Sequence, residues 1–273
     1  MKQILLFLSA FLVAGASLGQ GVVPAGARSM SMGNASTTFD DVWAFQNNPG
    51  ALGAINTFSA GLSYENRFLL KEFQTQGFAV AIPLKVGVIS VGGDMFGYRN
   101  YRSYQAGVGY SMKLSEKFFA GVQLNYKGLS LSSNYGSKHS ISAAAGIYAK
   151  VTENWKIGVS AYNVGRAKLS DFEDDRFTTV FRLGTSYLFS KKFLIAMEGE
   201  KDIDNPFRFK TGLEYEPLNN FFIRGGVQTT PIEFSFGFGY HFQQVHIGIG
   251  SSYHQILGWS PNFSIVFQAK TKE

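Results

Sequence analysis

Residues 231–242 alternate without a break. Ile232, Phe234, Phe236, Phe238, Tyr240 and Phe242 hold one set of positions, and Glu233, Ser235, Gly237, Gly239 and His241 the other. Strand side chains point alternately to two faces, so this segment has one wholly apolar, mostly aromatic face and one small polar face. The pattern returns at 118–127, where Phe118, Ala120, Val122, Leu124 and Tyr126 oppose Gly121, Gln123, Asn125 and Lys127. It returns again at 207–216 and 245–254. Segments 104–112, 141–150, 155–162, 221–228 and 263–270 behave alike; 58–65, 77–82, 85–96, 176–188 and 193–201 carry weaker versions. The sum is about fourteen strands, an even number, as a single-chain transmembrane antiparallel barrel requires.

A soluble sandwich or propeller also alternates, but its apolar face points inward and its charges outward. Here the polar face is rich in Gly and Ser, and the apolar face carries large aromatics. That arrangement suits lipid outside and a crowded polar lumen inside. Charged residues make up only 16% of the 273-residue chain, against roughly 25% in soluble domains. A bilayer tolerates no open sheet edge, so the sheet is expected to close. The expected fold class is all-β, a closed antiparallel barrel.

The connections give an independent reading. One set is short: 83–85, 114–117, 152–154, 190–192, 217–219 and 243–244. The other is longer or irregular, including 97–103, 132–138, 165–175 and 255–260. Short periplasmic turns alternating with longer outer loops orient the barrel with its N-terminus in the periplasm. Tyr98, Tyr101, Trp155, Tyr253 and Trp259 lie near strand ends, where interfacial aromatics sit.

The chain starts with Lys2, an apolar run from Ile4 to Ala14, and small residues at Ser17 and Gly19. This reads as a signal peptide over 1–19, too short for the roughly 20 residues of a membrane span. The absence of cysteine excludes disulfides, thiolate metal sites and a lipobox anchor. The net charge of +6 raises the question of nucleic acid. Lys and Arg are scattered, however, with no basic run longer than Lys191-Lys192, so nucleic acid is not an expected partner.

Residues 20–55 do not alternate. Their Gly, Asn and Pro content predicts a compact plug inside the barrel of residues 56–273. Arg28, Met32, Gly33, Asp40, Asp41, Asn48, Pro49 and Leu52 together resemble the opening of the FadL superfamily of outer-membrane barrels, and within it the PorV/PorQ-type proteins. Gly50 departs from that pattern, which has Ala after Asn-Pro. The resemblance implies a plugged barrel in the bacterial outer membrane, with membrane lipid around it. FadL-type members move hydrophobic molecules. PorV/PorQ-type members serve type IX secretion by holding or shuttling secreted partners. The outer loops here are short, which favours the secretion role, with a machinery component or secreted protein as partner. Uptake of a small hydrophobic ligand is the alternative.

A barrel hydrolase would need a Ser–His–acid constellation. His241, His246 and His254 fall on the lumen face, but no His-Glu-x-x-His or similar spacing exists. The chain therefore reads as neither enzyme nor metalloprotein, and no cofactor is expected. The lumen charges Lys127, Arg182, Arg208, Lys210 and Arg224 are set against Glu198, Glu214 and Glu233, with Glu216 and Asp94 beside them. Charges of both signs predict a cross-strand ion-pair network. Arg28 is expected to meet Glu214 or Glu233, and Asp40 or Asp41 to meet Arg208 or Arg224. The acidic run 171–175 reads as a solvated loop or a protein-docking surface.

Overall fold

A computed structural model describes residues 24–131, 136–167, 176–203 and 205–270. The expected signal peptide at 1–19 and the acidic run 171–175 lie outside the described residues. Fourteen strands form one closed antiparallel barrel. They are β1 Ser59–Asn66, β2 Gln74–Leu84, β3 Gly87–Tyr98, β4 Tyr101–Lys113, β5 Phe118–Leu131, β6 Ser137–Lys150 and β7 Trp155–Tyr162. The second half is β8 Val180–Ser190, β9 Phe193–Asp202, β10 Arg208–Leu218, β11 Phe221–Gln228, β12 Glu233–Phe242, β13 Val245–His254 and β14 Gly258–Gln268. Each strand pairs with its sequence neighbours, and β1 closes on β14 from Ser59↔Gln268 to Glu65↔Asn262.

The faces follow the alternation. In β12, Ser235, Gly237 and Gly239 are buried, while Phe236 and Phe238 each leave 48% of their surface exposed. A soluble monomer rarely shows contiguous apolar patches above a few hundred Å². Here exposed aromatic and branched side chains run around the whole wall, the surface a barrel presents to lipid.

Several strand ends differ from expectation; β5 and β6, for instance, reach Leu131 and Ser137, beyond 127 and 141. β2 runs through Pro83, which pairs with Val88, so its turn is only Lys85–Val86. β14 starts at Gly258 and carries Pro261 opposite Ser251. Proline cannot donate to a ladder and is uncommon inside strands, which is why both strands read as shorter. β8 begins at Val180, later than 176. The stretch 97–103 is not a long loop: Tyr98 pairs with Tyr101 across a tight turn. Tyr101 also packs edge-on against Phe96, at 6.3 Å between ring centroids.

Residues 24–55 lie inside the barrel as three short helical pieces: α1 Ala27–Ser31, α2 Ala44–Asn47 and a 3-10 turn Pro49–Ala54. Most of their residues are buried. Val42, Trp43, Phe45, Ala51 and Leu52 form one apolar core with the wall residues Ala79, Ala81, Val88, Phe119 and Tyr148. A smaller core joins Met32, Ala35 and Phe39 to Ala196.

Candidate functional site: the lumen segment and the outer mouth

The inward glycines of the wall make room for this segment. Its backbone at Met32 and Gly33 lies against Gly212 and Gly226, where a Cβ would collide with it. Ser31 sits over Gly237 and Gly250, Thr37 over Gly158, and the Pro49–Gly50 peptide over Gly121 and Gly146. Gly33 itself has φ +63° and presses on the backbone of Thr211 and Val227, so no side chain fits there. Asn48 fixes the next bend. Its Nδ2 donates to the carbonyls of Thr37 (2.8 Å) and Ile147 (3.1 Å), and its Oδ1 accepts from Gly50 N (3.0 Å). Pro49 opens the 3-10 turn, where its missing N–H costs nothing, and its carbonyl accepts from Ser111 Oγ at 2.7 Å.

Three charged clusters tie the segment to the wall. Arg28 donates to both oxygens of Glu214, at 2.7 and 3.0 Å, and lies 3.6 Å from Asp41. Arg224 Nε completes the set at 2.6 Å from Glu214, and the Arg28 guanidinium stands 4.2 Å over the Phe39 ring. Asp40 receives Lys156 at 3.0 and 3.2 Å and the Tyr148 hydroxyl at 3.0 Å. Burial pushes the Asp40 carboxyl up, but Lys156 and, more weakly, Lys150 and Tyr148 outweigh it and hold the group below its ordinary value. At Asp41 burial prevails over Arg28 and the Trp43 N–H, and the group is raised. In the third cluster, Glu198 accepts from the backbone N–H groups of Ser36 and Thr37, both at 2.9 Å, and from the Thr37 hydroxyl. Lys210 bridges Glu198 (2.8 Å) and Glu200 (2.7 Å), while Arg182 and Arg208 reach Glu200 at 2.8 and 2.6 Å.

The Arg28–Glu214 pairing is one of the two anticipated. The partner of Asp40 is Lys156, not Arg208 or Arg224, and Arg208 is held by Glu200. Glu233 accepts from Gln228 rather than from Arg28. Lys127 stands 5.0 Å from the Phe177 ring. Sequence reasoning missed Glu200, Lys156 and Tyr148. Their signal was available: each shares the inward parity of Glu198, Gly158 and Gly146 on its own strand.

The opposite end of the lumen, bordered by the longer loops, is aromatic. Phe68 packs against Phe73 and His254, Phe73 against Phe96, and Phe96 against Tyr101, with centroids 6.0–6.4 Å apart. Phe68 and Leu69 both have φ +55°, a left-handed conformation that bulky residues rarely adopt. Arg67, held by Glu65 at 2.9 Å, and the Phe68 N–H, bound to Ser260 Oγ at 3.1 Å, keep the loop folded over the rim. His241 and His246, at the other end, stack on each other at 3.8 Å with Phe222 against His241.

Neither a protein-family model nor a curated protein matches the chain. Solved structures do. The TodX monoaromatic hydrocarbon channel, in a deltaS2 mutant, superposes with a TM-score of 0.71 at 12% identity, covering 92% of this chain and 100% of that one. The Ralstonia pickettii toluene transporter TbuX gives 0.65 at 15% identity, covering 92% and 100%. A Pseudomonas aeruginosa FadL homologue gives 0.61 at 11%, covering 89% and 97%. The chain is thus an outer-membrane-type β-barrel. Its fold is that of the FadL-type hydrophobic-compound channels.

Proposed function

We propose that this chain is a FadL-type channel that admits small hydrophobic molecules across the outer membrane, with residues 24–55 as its gate. The observation that carries the reading is the aromatic arc of Phe68, Phe73, Phe96 and Tyr101, placed on the loop side of a barrel with a channel fold. Pockets for apolar ligands are lined by such rings, and two consecutive residues in a strained conformation are characteristic of functional loops. Beneath the arc the lumen is filled by a hydrogen-bonded segment rather than by continuous wall, so passage requires that segment to move.

A second reading is supported by a different observation. The ion pairs around Glu198, Glu200 and Glu214 leave the middle of the lumen polar. The Arg28-to-Leu52 motif also resembles PorV/PorQ-type accessories of type IX secretion. In that role the barrel holds a secretion component or a secreted protein and transports nothing itself. One strain lacking residues 28–52 separates the two. Under the channel reading, uptake of a hydrophobic tracer changes and the extracellular proteome does not. Under the accessory reading, uptake is unchanged and secreted proteins are lost from the medium.

A further inference from the structure

Between the lumen segment and the aromatic mouth, three side chains form one level row across the inner wall. Asp94 on β3 is the register partner of Gln105 on β4, and Gln105 that of Lys127 on β5. All three hold inward positions of their strands and are half-buried, so they face the lumen. The segment ends below them: its Phe45 rests on Gly92, one inward position lower on β3. At Gly77, beside Asp94 in the register, an added Cβ would meet Ser63 Oγ at 2.9 Å and no atom of the segment within 3.9 Å. On the mouth side, Phe96 of the aromatic arc is the next inward residue of β3, about 7 Å along the strand from Asp94.

The charges of this row differ from those deeper in the lumen. Glu198, Glu200 and Glu214 are held by cations at 2.8, 2.7 and 2.6 Å. Asp94, Gln105 and Lys127 have no side-chain hydrogen bond or ion pair among the described residues. Asp94 and Lys127 act on each other through space, and among the described residues no other charge acts on either. Two strand spacings, roughly 10 Å, separate their Cα atoms. Gln105 fills the interval with an amide that can both donate and accept. Lys127 lies 5.0 Å from the centroid of the Phe177 ring, so a phenyl ring flanks each end of the row. A ligand of one sign gains from one of these charges and is repelled by the other. A ligand with both signs pairs with both.

We propose that this row binds an aromatic zwitterion of the α-amino acid class, its ammonium on Asp94, its carboxylate on Lys127 and Gln105, and its ring against the Phe96 arc. The proposal rests on the channel reading, whose ligand class it narrows. The test is equilibrium binding of labelled phenylalanine to the full-length barrel in detergent, with phenethylamine and phenylpropionate as competitors of single charge. The wild type should bind phenylalanine about tenfold more tightly than either competitor, the worth of one hydrogen bond to a charged group. Asp94→Asn should weaken phenylalanine and phenethylamine about tenfold and leave phenylpropionate no weaker. Lys127→Gln should weaken phenylalanine and phenylpropionate and spare phenethylamine. The competitor series on the wild type needs no variant to fold. The proposal is overturned if the wild type binds no phenylalanine, or binds either competitor as tightly. It is also overturned if either variant, folded by its heat-modifiable migration, binds phenylalanine as the wild type does. Uptake of a monoaromatic tracer into liposomes by the same barrels separates this site from the channel reading. Tracer entry without phenylalanine binding overturns the site and spares the channel; binding without entry does the reverse.

Discussion

Glu198 illustrates how much one side chain can hold in this lumen. It is almost fully buried, pairs with Lys210 and takes three hydrogen bonds from Ser36 and Thr37. Removing one partner of a buried pair leaves the other charge uncompensated, at a cost of roughly 3–5 kcal/mol. Glu198→Ala is therefore expected to destabilise the barrel by that order in urea unfolding. A change under 1 kcal/mol would mean that the network is dispensable. On the lipid side, Phe236→Arg should cost roughly 2–4 kcal/mol if it lies near the midplane, while its neighbour Gly237 fails for another reason. Ser31 occupies the space a side chain would need there, so Gly237→Val should dislodge the segment, seen as a change in Trp43 fluorescence. Asp40 and Asp41 respond to acid in opposite senses. Asp40 is lowered in the docked state, so its contribution is complete above the undocked pKa of about 3.9 and is lost as pH falls below it. Asp41 is raised, so docking gains as it takes a proton on the way down. Lys156→Gln should remove the first effect and leave the second, read as protease sensitivity of the segment between pH 3 and 6.

At the scale of the element, the lumen segment has two unequal halves. Residues 42–55 share a large apolar core with β2, β3, β5 and β6. Residues 24–41 have a small one and depend on Glu214, Glu198 and Lys156. A segment with few buried apolar contacts opens more readily than one that shares a large apolar core. Amide exchange should therefore be faster over 24–41 than over 42–55, and uniform exchange across both would contradict the division. Much of this element's frame was legible in the sequence. Alternation in 231–242 assigned both faces of β12 correctly, and the inward glycines signalled that something packs on them. Partner choice was not legible, because it depends on how the strands are staggered around the closed barrel. Asp40 meets Lys156 on β7 and not an arginine on β10 or β11 for that reason alone. The aromatic mouth also escaped, since Phe68 and Phe73 sit outside any alternating run.

For the whole molecule, the fold likeness to hydrocarbon channels and the polar filling of the lumen are reconciled if the segment moves. The chain has no cysteine, so a new pair can lock it without competition. An added Cβ at Gly248 would lie 3.1 Å from the Ala27 Cβ and meet nothing nearer, which a small shift brings to the roughly 3.8 Å of a disulfide. The decisive measurement is uptake of a monoaromatic tracer into liposomes containing the Ala27→Cys/Gly248→Cys barrel, oxidised and then reduced. A gated channel predicts that uptake is blocked when oxidised and restored by reductant, while each single cysteine variant is unaffected by either treatment. Equal uptake in the oxidised and reduced states, with the disulfide verified by mass, would contradict it.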